Sequence, residues 1–227
     1  MLALGRHAVQ TWPMRGVLAL LCFGLAPAST ALADSLDLAG RYRLAEDHDA
    51  AGELAISADG RFDYGLAYGA LDEEAHGRWQ RQGDAICLYT EPKPMPPVLS
   101  KAPAAKTASQ SATLMVVSPD GHGIPGVDFR IGFDSGEPVD GYTQEYGFTL
   151  DPNERRTPRW VELYEPINRI SAPRFTLGPE DNGKLLAILT PNDLGMVDFE
   201  GACLEAMEKG VILHRKEGDM HFVRDGG

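Results

Sequence analysis

The feature that most constrains the fold is a strict two-residue alternation between apolar and polar side chains. Over residues 61–68, Phe62, Tyr64, Leu66 and Tyr68 fall on one side of the chain and Arg61, Asp63, Gly65 and Ala67 on the other. That is the pattern of a strand with one face toward a core and one toward water. Turn dipeptides bracket such runs at short spacing. Asp59-Gly60 separates residues 53–57 from 61–68, and Gly83-Asp84 separates residues 77–82 from 85–89. Glycine at these points supplies the positive φ that tight hairpins need. With residues 40–44 as a first strand, residues 34–91 read as an N-terminal antiparallel β domain, a meander or partial barrel.

Composition changes abruptly after that. Pro92, Pro94, Pro96, Pro97 and Pro103 interrupt a stretch otherwise rich in Ala, Lys and Ser, and residues 92–111 read as a linker with too little to bury. Period-two runs resume at residues 113–118 and 127–133, where Val127, Phe129, Ile131 and Phe133 alternate. Asp120-Gly121, Ile124-Pro125-Gly126-Val127 and Gly141-Tyr142-Thr143 through Tyr146-Gly147-Phe148 together resemble the carboxypeptidase regulatory-like, transthyretin-like β-sandwich family. The resemblance covers about residues 112–150 and implies a small sandwich used for adhesion, folding or ligand presentation; residues 112–165 read as that sandwich-like module. Further strands are expected at residues 160–164, 174–177, 184–190, 210–214 and 220–224, with a helical turn or two at 203–209. The C-terminal strands of residues 166–227 are expected to complete the N-terminal sheet. Gly40-Arg41-Tyr42 is similar to the opening G-x-W of lipocalins, with tyrosine in place of tryptophan. The expected fold class is all-β, a meander or partial barrel plus a small sandwich-like module.

Residues 1–33 carry Arg6 and Arg15, an apolar run over 16–28 and a terminal Ala31-Leu32-Ala33, the anatomy of a cleaved signal peptide. The expected location is periplasmic or secreted, with no transmembrane segment left after cleavage. The chain has 21 Lys and Arg against 33 Asp and Glu, a net charge of −12; residues 1–33 hold two of the basic residues and no acidic one, which leaves the mature chain at −14. Such acidity disfavours phosphate backbones and anionic lipid, so no nucleic-acid partner is expected. Cleavage removes Cys22 and leaves Cys87 and Cys203. An oxidising compartment favours a disulfide between them; two buried thiols are the alternative.

Chemistry is sparse. Gly121-His122-Gly123-Ile124-Pro125-Gly126 matches G-x-G-x-x-G, but Pro125 and a strand follow where a dinucleotide site needs a helix. His48, His76, His122, His214 and His221 contain no close ligand pair, and neither Asp47-His48-Asp49 nor the potential His214/His221 pair has a third donor, so no metal and no cofactor are expected. Asp72-Glu73-Glu74 reads as a solvated loop. No G-x-S-x-G or S-x-x-K marks a nucleophile, and no catalytic residue is assigned. The aromatic residues Tyr64, Tyr68 and Trp79, with Phe62, are candidates to line a ligand site, against the simpler role of core packing. The expected function is binding by an exported, envelope-associated protein, with an unknown small ligand or envelope protein as partner. A hydrolase with a site at the module interface and a purely structural envelope protein are the competing expectations.

Overall fold

The computed structural model describes residues 38–45, 49–83, 85–103 and 113–226. The segment expected to be a signal peptide, Asp47-His48 and most of the second half of the expected linker lie outside these residues. Five strands open the chain: β1 (Gly40–Leu44), β2 (Ala50–Ile56), β3 (Arg61–Tyr68), β4 (Leu71–Gln82) and β5 (Ala85–Thr90). An inserted module follows, with β6 (Val98–Lys101), β7 (Leu114–Val117), β8 (Asp128–Phe133), β9 (Val139–Tyr142), β10 (Pro158–Glu165), β11 (Ile170–Ser171), β12 (Phe175–Thr176) and β13 (Leu185–Thr190). The chain ends with β14 (Glu200–Met207), β15 (Gly210–Arg215) and β16 (Gly218–Arg224).

β1 to β5 and β14 to β16 form a closed antiparallel barrel of eight strands, each paired with its neighbour in chain order once the insertion is set aside. Two junctions close it. Tyr42 on β1 faces Arg224 on β16, and Cys87 on β5 faces Cys203 on β14, where the two are joined as a disulfide. Closure removes the unpaired edges that an open meander would expose.

The alternation seen in residues 61–68 places Phe62 and Tyr64 inside the barrel with Tyr42, Leu54, Ile56, Leu88, Leu213 and Phe222. Each large apolar side chain buried there contributes roughly 1.5–3 kcal/mol. Phe199, just before β14, also enters the core, with its ring centroid 5.1 Å from that of Tyr64. One wall demands glycine: a Cβ on Gly77 would lie 2.1 Å from the Tyr89 carbonyl oxygen.

The insertion is a second core. β6, β13 and β7 form one sheet, with β7 parallel to β13; β8, β9, β10, β11 and β12 form the other. Leu99, Val116, Leu185 and Ala187 from the first sheet belong to one buried cluster with Phe129, Ile131, Val161 and Leu163 from the second, the layer arrangement of a sandwich.

Three expectations need correction. Residues 203–207 are strand, not helix: Ala, Glu and Met are good helix formers, but propensity is overridden by tertiary pairing, and β14 is held by ladders to β5 on one side and β15 on the other. Residues 98–101 are not linker, since in the proline-free stretch between Pro97 and Pro103 they pair with β13 and bury Leu99. The inserted strands therefore run from β6 to β13, beyond 112–165 at both ends, and of the strands after residue 166 only β14, β15 and β16 join the barrel. Among the described residues no helix is long and apolar enough to cross a membrane.

Candidate functional site

The end of β1 at Leu44, the start of β2 at Ala50, the β3–β4 turn and the β15–β16 turn all lie at one end of the barrel, because these strands run antiparallel and in register. The same end gives rise to the insertion, which leaves after β5 and returns before β14. A cleft of about 390 Å³ opens there. Leu44, Leu66, Leu71, Tyr68 and Met220 give it an apolar lining, and Glu73, Arg215, Glu217, Asp219 and Arg169 supply its charges. Leu44, Leu66 and Met220 also pack on the barrel core, so the cleft sits above a filled interior. Its volume falls in the ~300–1,000 Å³ range typical of small-molecule sites.

Its deepest polar feature is a three-residue network. The Arg215 guanidinium donates from Nη1 to the Tyr64 hydroxyl at 2.7 Å and to Glu73 Oε2 at 2.7 Å, and from Nη2 to Glu73 Oε1 at 3.2 Å. The Tyr64 hydroxyl donates in turn to Glu73 Oε2 at 3.1 Å. The Arg215 side chain is 6% exposed and that of Glu73 14%. This is the bidentate arginine–carboxylate geometry that holds both partners in one plane. Burial pushes the Tyr64 phenol well above its ordinary range, with the Arg215 charge opposing and Glu73 adding to the rise. For Arg215, burial pulls the pKa down, but hydrogen bonding to Glu73 and the neighbouring negative charges outweigh it and raise the value. Tyr64 therefore stays a neutral phenol and Arg215 a cation at any physiological pH.

The expected aromatic residues separate. Tyr64 is buried in the network, Tyr68 is half exposed on the cleft rim, and Trp79 lies near the opposite end, its indole Nε1 donating to the Ser57 carbonyl at 2.8 Å. Glu73, Arg215 and Arg169 were not marked by any motif. Glu73 sits in strand β4 rather than in a solvated loop. Its signal is parity: residues 71, 73, 75, 77 and 79 share one side, and Ala75 on that side is buried.

Arg169 reaches the cleft from the β10–β11 hairpin of the inserted module. Its φ of 55° is left-handed, a conformation that arginine adopts at a cost of about 1–3 kcal/mol. The hairpin is held by the buried Glu165 carboxylate, which accepts from the backbone N–H of Ile167 at 3.0 Å and of Asn168 at 2.8 Å, and from Asn168 Nδ2 at 3.1 Å.

Of the two C-terminal histidines, His221, opposite Ile212, lines the cleft, while His214 faces Asp219 at 2.8 Å and Glu205 at 3.2 Å. Hydrogen bonds to Asp219 and then Glu205 hold the His214 imidazole above its ordinary pKa. Among the described residues no group of three His, Cys, Asp or Glu side chains is placed to hold a metal ion. Residues 121–126 form the loop between β7 and β8, where a Cβ on Gly123 would collide with the Glu145 backbone. A broader groove of about 980 Å³ crosses β1 to β4 and is lined by Ala51, Gly65 and Ala67 among charges of both signs. Comparison with protein-family models, curated proteins and solved structures finds no match for this chain.

Proposed function

We propose that this chain is an exported, non-catalytic binding protein that holds a small amphipathic molecule in the mouth of its barrel. The observation that carries this reading is the cleft itself: an apolar lining over a packed barrel interior, with charged groups from two modules at its edge. The inserted sandwich contributes Arg169, as a ligand-presenting module would, in keeping with its resemblance to carboxypeptidase regulatory-like sandwiches. The up-and-down order of the eight barrel strands favours the lipocalin-like reading of Gly40-Arg41-Tyr42. Export is supported by Ala31-Leu32-Ala33 and by a disulfide that an oxidising compartment would preserve.

The Tyr64–Glu73–Arg215 network suits binding: its hydrogen bonds fix a cation and a carboxylate at the cleft floor, and Tyr64 and Arg215 are both shifted away from the near-ambient pKa that a general acid or base needs.

The test is fluorescence titration with anilinonaphthalene sulfonate, an amphipathic dye. The mature protein is expected to bind it at one saturable site, and Leu66→Trp, which fills the cleft, is expected to abolish that binding while leaving the far-ultraviolet dichroism unchanged. Absence of saturable binding, or binding that survives Leu66→Trp, would refute the reading.

A further inference from the structure

We infer that the outer face of the five-stranded sheet in the inserted module is a binding platform for a neutral oligosaccharide chain. Register aligns three side chains straight across that face: Tyr142 on β9 is opposite Asp128 on β8, which is opposite Tyr164 on β10. The two tyrosines are 61% and 41% exposed, although large aromatic side chains gain most from burial. They are two strand spacings apart, roughly 9.5 Å, about the length of a disaccharide in an extended chain.

A second row lies beside the first. Arg130 makes a two-point contact with Asp140, at 2.8 and 3.2 Å, and Arg174 bonds Glu162 through Nε at 2.9 Å and Nη2 at 2.7 Å. Arg174 is also stacked 3.9 Å above the Trp160 ring. Trp160 in turn lies across Gly132, where a Cβ would come within 1.9 Å of the indole. These pairings fix the planes of the guanidinium and carboxylate groups and aim their remaining donors and acceptors outward. An open depression of about 610 Å³ contains both tyrosines together with Asp128, Arg130, Asp140 and Glu162.

A pyranose has an apolar C–H face and a rim of hydroxyls. The tyrosine rings offer surfaces for the first, and the pre-aimed carboxylates and guanidinium offer partners for the second. Charge selects among glycans. The platform sets Arg130 and Arg174 against Asp128, Asp140 and Glu162, on a chain of net charge −12, so a polyanionic glycan is repelled and a neutral one is not. Pairing of a second copy along the β9 edge would leave Tyr164, two strands inward, unused.

Affinity electrophoresis tests this with the full mature chain in native gels containing hydroxyethylcellulose, galactomannan, mixed-linkage β-glucan or xylan. At least one polysaccharide is expected to retard the wild type. Tyr142→Ala and Tyr164→Ala should each weaken the interaction roughly two- to tenfold, the double variant should run freely, and Leu66→Trp at the barrel mouth should be retarded like wild type. The inference is overturned if none of the four gels retards the wild type, or if the double variant is retarded equally. It is also overturned if the face instead mediates a dimer in size-exclusion chromatography that Tyr142→Ala disperses without any polysaccharide binding.

Discussion

Replacing Arg215 by methionine keeps most of its length and removes its charge, and so isolates what the mouth network contributes. Glu73 would then be a carboxylate with 14% of its side chain exposed and only the Tyr64 hydroxyl, at 3.1 Å, as donor. Removing one partner of a buried ion pair typically costs about 3–5 kcal/mol, because the charge left behind has lost its compensation. Residual exposure of Glu73 places the expected loss near the lower end, about 3 kcal/mol, with lost contact of the guanidinium over the Tyr64 and Phe199 rings, each 5.7 Å away, contributing a little more. The opposite single change, Glu73→Leu, should cost less, since Arg215 retains Glu217 at 3.3 Å and the Tyr64 hydroxyl. The double change Glu73→Leu with Arg215→Met should restore most of the loss, as apolar replacements of buried pairs often do.

Urea unfolding of the disulfide-intact chain near neutrality measures these losses. A single variant as stable as wild type near neutrality, or a double variant no more stable than Arg215→Met, would refute the reasoning.

Other expectations follow from individual contacts. Alkylation of unfolded residues 34–227 without reductant should add no label, and Cys87→Ala with Cys203→Ala should lower stability by about 2–5 kcal/mol in chemical denaturation, given a separation of 116 residues. Gly77→Ala should destabilise by more than the ~1 kcal/mol of an average substitution, because its Cβ meets backbone at 2.1 Å and not a movable side chain; a melting temperature equal to wild type would contradict the Gly77 packing. His214 should titrate by NMR above an ordinary histidine, and Asp219→Asn should lower its pKa. Any stability that this interaction adds is present below the unfolded histidine pKa and is lost as pH rises through the elevated folded value.

The strands of the barrel's first half were legible because alternation specifies both the element and its buried face: Phe62 and Tyr64 are inside, as their parity requires. Closure was harder to read. The β5–β14 ladder joins residues more than a hundred apart, and no local pattern encodes that pairing. Residues 203–207 show the same limit, since helix-favouring side chains become strand when ladders form on both sides. β6 was hidden by the prolines before it, and Glu73 by acidic neighbours: Asp72 and Glu74 line the broad groove across β1 to β4, whereas Glu73 also meets Arg215. Arg215 itself sits at the end of an ordinary strand. Its importance arises only when β3, β4 and β15 converge on one mouth, a tertiary event without a linear motif.

Native mass spectrometry of residues 34–227, purified gently from the host without denaturation, addresses the central claim most directly. A discrete small-molecule adduct on the wild type that is missing from Leu66→Trp is the result expected of a binding protein whose ligand occupies the barrel mouth. A bare wild-type chain, or an adduct retained in full by Leu66→Trp, would contradict it.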